Sequence, residues 1–320
     1  AAALARAIAR FLPRGVRGLS RLLPAPLGVM LSLALRAPAG VRGEKSRDGV
    51  AIGERRGRVA LLAGCAQSVL NRQAHAASVR LLERAGFDVV TIEGCCGALV
   101  HHLGRAAHNR VLAARLLERI DSERRRGGLD AVILTASGCG THLKDYGHLF
   151  RNDARLAGSA AAATAIAHDI TEWLYERGRA AGAAAAPSPT GSPPAGLAVA
   201  YHSACSMQHG QQLGRIPQQL LERAGFAVQE IPEGHLCCGS AGTYNILQPR
   251  IAAQLRERKL ENIRRTSARV VATGNVGCIT QLAGAADLKV VHTAELLDWA
   301  QGGPEPLSLR GRTGSSPDHR

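Results

Sequence analysis

The sequence predicts an α/β protein built from two tandem pseudo-symmetric Cys-Cys-Gly domains, each a small parallel sheet flanked by helices. Three observations carry this. The eight cysteines fall into two copies of one pattern: Cys65, Cys95-Cys96-Gly97 and Cys139, then Cys205, Cys237-Cys238-Gly239 and Cys278. Corresponding cysteines stand 139 to 142 residues apart, so they were duplicated as a set. The heptapeptide LLERAGF at residues 81–87 returns at residues 220–226, ahead of each Cys-Cys-Gly. Finally, apolar runs alternate with helical patterns in the same order in both copies, which predicts right-handed βαβ units and a parallel sheet.

In the first copy, RVALLAGC (residues 58–65) reads as a buried strand. Ser68 is a candidate cap for a helix that ends at Gly86, with Phe87 as the apolar partner of that terminus. DVVTIEG (residues 88–94) is a second strand leading into Cys95-Cys96. Leu112, Leu116 and Ile120 recur at helical spacing behind it. AVILTASG (residues 131–138) is a third strand leading into Cys139, with Thr141 as a helix cap, and residues 165–170 are a fourth.

The second copy repeats the order. Its strands are LAVAYHSAC (197–205), AVQEIPE (227–233), VVATGNVG (270–277) and KVVH (289–292). Residues 245–267 read as a helix with Leu247, Ile251 and Leu255 on its packed face. Domain limits follow: a basic helical extension at 1–50, cysteine-rich domains at 51–180 and 197–302, an Ala/Pro/Ser linker at 181–196, and a disordered tail at 303–320.

A chain of 320 residues suits about two domains. The net charge of +15, mostly arginine, suits an acidic partner or an anionic membrane face, while coding bias toward GC-rich codons explains it equally. Nucleic acid is not expected as a partner, because no basic stripe interleaved with aromatics appears. The apolar run at 27–35 is too short to span a bilayer, leaving helices packed on a neighbour or a peripheral basic contact with a membrane surface. No secretory signal is visible, and an adjacent cysteine pair is a strained disulfide, so a reducing, cytoplasmic setting is expected.

The cysteines of each copy follow strands one, two and three. In a parallel sheet those three points share the carboxyl edge, where ligands bind in open α/β folds. Helix N-termini point to the same place and stabilise thiolates. Gly97 and Gly239 permit a tight turn or a close backbone approach. Four thiols per copy match the ligand count of a 4Fe–4S cluster, so Cys65, Cys95, Cys96 and Cys139, and Cys205, Cys237, Cys238 and Cys278, are the candidate metal ligands. Zinc is the rival ion, although its sites generally use two short-spaced pairs.

The segments TASGCGTHLKDYGHLF (135–150), GCCGALVHHLG (94–104), HLCCGSAGTYNILQP (235–249) and TGNVGCITQL (273–282) resemble the cysteine-rich Cys-Cys-Gly family. That family includes the cysteine-rich subunit of heterodisulfide reductase and the lactate-utilisation iron–sulfur proteins. The narrower likeness, over about residues 50–300, is to glycolate oxidase iron–sulfur subunits. The resemblance implies an electron carrier beside FAD-containing subunits that oxidise glycolate to glyoxylate, with electrons passing to quinone at the cytoplasmic face of a bacterial inner membrane. The flavin subunit would do the chemistry.

Two features depart from that family. Its N-terminal ferredoxin-like module, with Cys-x-x-Cys runs, has no counterpart here, and the missing initial Met suggests a truncated chain. The wider family closes each repeat with Cys-x-x-Cys, but Ala136 and Asn275 stand at the first of those positions. The five-cysteine non-cubane cluster of the heterodisulfide relative is therefore not expected; a conventional 4Fe–4S cluster per repeat, or one empty repeat, remains. A thiol- or zinc-dependent heterodisulfide or lactate-utilisation role is the alternative. His101 and His102 read either as cluster-side hydrogen-bond donors or as a surface pair. His202 and His235 read as tuners of a cluster or as loop polarity. Lys144 and Asp145 read as a local ion pair, and no nucleophilic triad or phosphate loop is present.

Overall fold

The structure, a computed structural model, describes residues 56–180, 193–285 and 287–310. The basic extension at 1–50, most of the linker and residues 311–320 lie outside the described residues. The first sheet contains β1 (Gly57–Gly64), β2 (Phe87–Gly94), β3 (Ala131–Leu134) and β4 (Ala167–Asp169), in the order β2-β1-β3-β4 with every pairing parallel. The second contains β5 (Ala198–Tyr201), β6 (Ala227–Glu230), β7 (Val270–Thr273) and β8 (Lys289–His292), in the order β6-β5-β7-β8, again parallel. The two repeats have one topology. In each, the opening strand lies between the second and third, so the three strand ends that precede cysteines are neighbours along one edge.

Alternation along the strands assigns the two faces of the first sheet. Val59 and Leu61 of β1, with Ala131 and Ile133 of β3, join one apolar cluster; Ala60, Leu62, Val132 and Leu134 join another. The first of these clusters also takes Val199, Val271, Leu296 and Leu297 from the second repeat. One core therefore runs through both repeats. Around it, helix Arg72–Arg84 packs on helix Thr293–Ala300, and helix Ile170–Ala180 packs on helix Ile216–Arg223. The helix after the first strand of one repeat meets the helix after the fourth strand of the other, both ways round.

Buried polar groups stitch this seam. Asp298, 1% exposed, accepts from Arg80 at 2.5 Å and from Arg84. Asn71 caps helix Arg72–Arg84 by accepting from the Ala74 amide, and its Nδ2 donates to Glu295 at 3.0 Å. His292 donates from Nε2 to the Thr135 carbonyl at 2.6 Å, while its Nδ1 accepts from the Ala294 amide. That pair of bonds requires the neutral ring, and burial holds its pKa down at about 4.

Several local expectations shift. The first helix breaks at Asn71, which takes the capping role; Ser68 instead donates to the Cys65 carbonyl. Each third strand ends earlier than expected, because Ser137 and Val276 already open helices. Thr141 lies inside the first of these and donates to the Ser137 and Ser206 carbonyls instead of capping. The long helix at 245–267 is two, Tyr244–Leu247 and Pro249–Arg264, since Pro249 lacks an amide proton and drives Gln248 out of helical geometry. The phase changes with it: Leu247 and Ile251 are exposed, and Ala252, Lys259, Leu260 and Ile263 are buried. Lys144 pairs with Glu172 at 2.6 Å, not with Asp145. Of the segment read as a disordered tail, residues 303–310 are described, and Leu309 packs on the shared core. No helix of the described residues is long and apolar enough to cross a membrane.

The seam yields two expectations. Removing Arg80 and Arg84 together leaves the Asp298 carboxylate buried and unpaired, so R80A/R84A should lose about 3–5 kcal/mol in denaturant unfolding. Asp298→Asn, which leaves only two half-exposed arginines to re-solvate, should lose less; equal losses would contradict the geometry. Second, His292 is neutral when folded and titrates near its ordinary 6.5 when unfolded, so its contribution is complete above 6.5 and disappears as pH falls toward 4. His292→Gln should flatten that limb of the stability–pH curve.

Candidate metal centre

Each repeat gathers its four cysteines where the sheet ends. In the first, Cys65 follows β1, Cys95 and Cys96 follow β2, and Cys139 lies in the first turn of helix Ser137–Lys144. The Cys65 and Cys95 sulfurs are 3.4 Å apart, and Cys139 bonds to Cys96. In the second, Cys238 and Cys278 are 3.2 Å apart, and Cys237 contacts both Cys205 and Cys238. Burial is graded alike for three of the four: Cys65 and Cys205 are exposed at the rim, Cys95 and Cys237 are half-buried, and Cys96 and Cys238 are buried, while Cys139 is half-buried where Cys278 is buried.

Backbone geometry sets the tandem pair. Gly97 and Gly239 have φ of +91° and +89°, a region that favours glycine. A β-carbon on Gly97 would come within 2.2 Å of the Asn109 side-chain oxygen, and one on Gly239 within 2.4 Å of the Ala252 carbonyl. The chain can reverse there only by pressing its backbone on the following helix. Amides then turn onto sulfur: Gly239 donates to Cys237 at 3.3 Å and Ser240 to Cys238 at 3.5 Å. The Tyr146 hydroxyl holds the first loop by donating to the Cys96 carbonyl at 2.6 Å.

The two sets meet at the seam. Asn275 caps helix Val276–Leu282 by accepting from the Gly277 and Cys278 amides, and its Nδ2 donates to the Ser137 hydroxyl at 2.9 Å. Ser137 and Ser206 share a hydrogen bond of 2.7 Å, and the Ser137 amide donates to the Gly274 carbonyl. Ser137 opens the helix that holds Cys139, and Ser206 follows Cys205. Asn275 thus stands where the wider pattern has a cysteine and does a different job, as both cap and cross-repeat donor.

The histidines separate. His202 is buried beside Cys238 and Cys278, the three donor atoms all within 4.8 Å of one another. His101 and His102 are exposed; His101 stacks on His142 at 5.2 Å, and His102 lies where a β-carbon on Gly242 would meet it at 2.9 Å. His235 is exposed. Sequence patterns passed over His108, whose charge lowers the Cys95 pKa, and Lys259, fully buried near Cys237, Cys238 and Cys278. Counting helical phase from Pro249 would have put Lys259 on the buried stripe with Leu260 and Ile263, where a lysine is conspicuous.

Charge is shared unevenly among the thiols. The Cys65 thiol donates to Cys95 and holds it down at about 6, helped by the Gly97 amide and His108. Cys205, Cys238 and the Gly239 amide hold Cys237 down at about 2, and Cys238 with His202 holds Cys278 at about 6. Their partners Cys65, Cys205 and Cys238 are pushed up by those same bonds and by burial, and Cys139 by its bond to Cys96 and by burial. Four thiols in one pocket cannot all ionise alone, and a cation lets them do so. This donor set fits a thiolate-bound metal centre, either a tetrahedral ion or a cluster.

Metal-free protein should alkylate Cys95 fastest among the first four, with a rate that holds above pH 6 and falls below it as the thiolate protonates. Peptide mass mapping after brief iodoacetamide treatment reads this; preferential labelling of the more exposed Cys65 would contradict it.

The cysteine-rich domain family matches the chain twice, at residues 59–144 and 199–283. The glycolate oxidase iron–sulfur subunit of Escherichia coli (strain K12) is 36% identical over 253 residues, 76% of this chain and 58% of that protein. A Bacillus subtilis (strain 168) protein named as a probable glycolate oxidase iron–sulfur subunit is 29% identical over 296 residues, 89% of this chain and 64% of that one. Lactate utilization protein A of Bacillus subtilis (strain 168) is 26% identical over 254 residues, 75% of this chain and 99% of that protein. The chain thus spans about three fifths of the two glycolate oxidase relatives and nearly all of the third.

Proposed function

Because this chain belongs to the cysteine-rich domain family and carries two copies of its domain, we propose that it is the iron–sulfur electron-transfer subunit of a complex that oxidises a small 2-hydroxy acid, glycolate in the first instance. The observation that carries the reading is the gathering of four thiols at one sheet edge in each repeat, graded from an exposed rim to a buried floor. The likeness to glycolate oxidase iron–sulfur subunits supplies the class of reaction.

A cysteine-bound 4Fe–4S cluster supplies one-electron transfer. The chain's own residues do the rest. Eight cysteines, Cys65, Cys95, Cys96 and Cys139 with Cys205, Cys237, Cys238 and Cys278, serve as ligands. The Gly239 and Ser240 amides stabilise negative sulfur, Gly97 and Gly239 let each loop close, and the exposed Cys65 and Cys205 rims face the donor or acceptor. The chain has no substrate chemistry of its own; FAD-bearing partner subunits oxidise glycolate to glyoxylate, and electrons pass toward quinone. The excess positive charge of the chain suits an acidic flavoprotein surface, and the complex sits in the cytoplasm or peripherally on the inner face of the bacterial inner membrane.

A second reading, a lactate-utilisation subunit, draws on one observation: the match to lactate utilization protein A covers nearly the whole of that protein. Both readings place the cluster on the same cysteines and differ in the acid that the partner oxidises.

Anaerobically purified chain should hold about four irons and four labile sulfides per loaded repeat, with an EPR signal on reduction. Cys139→Ser and Cys278→Ser should each remove one repeat's share. Zinc without sulfide would overturn the reading. Binding to the flavin subunits should weaken with salt; salt-insensitive association would remove the electrostatic docking step.

A further inference from the structure

The two cysteine sets are not chemically equivalent. Set Cys205 on Cys65 and the partner of His202 in the first repeat is Leu62. Leu62 lies in the apolar cluster of the first repeat. His202 occupies the matching strand end, its backbone amide held by the Ala272 carbonyl at 2.9 Å, and it is only 2% exposed. Neither of its ring nitrogens meets an oxygen or nitrogen hydrogen-bond partner among the described residues. The other buried histidines differ: His142 bonds to Asn109 at 2.8 Å, and His292 uses both nitrogens. Buried polar groups are rarely left unpaired, and the hydrogen-bond partner this ring has among the described residues is the sulfur of Cys278, one of the thiols already assigned to the metal. The imidazole faces two sulfurs, with the Cys238, Cys278 and His202 donor atoms mutually within 4.8 Å.

We propose that His202 is a direct nitrogen ligand of the metal centre in the second repeat, making that site a mixed Cys/His centre while the first is all-thiolate. The proposal rests on the reading of the cysteine sets as metal ligands and goes beyond it in assigning a fifth donor. The ring binds as neutral imidazole through one nitrogen and keeps its proton on the other, so ligation itself releases no proton from His202. The neutral ring adds a donor without adding negative charge, so the centre is less negative and easier to reduce than it would be with a further thiolate in that place. Lys259, buried and close to Cys237, Cys238 and Cys278, acts in the same direction, whereas the corresponding helix of the first repeat runs through Leu116 and Leu117. The second repeat then holds the higher-potential centre.

The test uses the full chain with the first set disabled by Cys65→Ser and Cys139→Ser, so that the second site alone reports. Pulsed EPR on reduced protein, with and without 15N-histidine, reads nitrogen coupling at the metal. The coupling should be present, should change with the isotope, and should vanish in His202→Leu, which installs the residue that the first repeat already accommodates. His202→Cys should keep the centre, lose the nitrogen coupling and titrate at a lower potential. Resistance of the site to chelator should drop about tenfold or more in His202→Leu. A reduced centre without histidine coupling, or one whose coupling survives His202→Leu, overturns the assignment. If the protein contains no labile sulfide, the iron–sulfur reading fails by itself; Co2+ loaded into the same site then judges His202 by the same nitrogen coupling and the same two variants.

Discussion

Crowding several acidic thiols into one water-poor pocket is the constraint on which each repeat is built. Sulfurs at 3.2–3.4 Å share protons, so that some are thiolate and their neighbours are held protonated. Such an arrangement needs fixed positive ends nearby. The sheet supplies them by placing amides of the Cys-Cys-Gly loop and the first turns of two helices at one edge. The left-handed glycine after each pair is what allows the loop to turn its amides back onto sulfur, and the close approach of the following helix excludes any larger residue.

The seam between the repeats follows from the same edge. Helices that start at the cysteines also start at the junction, so Ser137, Ser206 and Asn275 link the neighbourhood of one set to that of the other. Further from the sites, Asp298 with its arginines and Glu295 with Asn71 hold paired helices together. Burial raises Glu295 to about 7, so it ionises less readily than an exposed glutamate, and its partner there is the neutral Asn71 amide.

Much of this was legible in the sequence because duplication writes everything twice. The succession of strands and helices along the chain, the edge shared by the cysteines and the glycine after each pair all follow from the repeated spacing and from the geometry of parallel sheets. Helix boundaries were less legible. Ser68 and Thr141 are good caps by residue type, but Asn71, which also reaches Glu295, and the early starts at Ser137 and Val276, tied to Ser206 and Asn275, lie where bonds cross the seam. Leu247 and Ile251 had the right spacing and the wrong phase, since a single proline resets the register. The pairing of Lys144 with Glu172 depends on contacts made by elements far apart in the chain, which no local pattern encodes, whereas the burial of Lys259 follows from helical phase once the helix is started at Pro249.

The shared core also speaks to ancestry. Val59, Leu61 and Ile133 bury themselves against residues of the second repeat, and helices pack across the junction in two matching crosswise pairs. A lone ancestral unit would have left that apolar face bare to water. In this chain the second copy covers it, and the two halves differ where one has leucine and the other histidine at the same strand end.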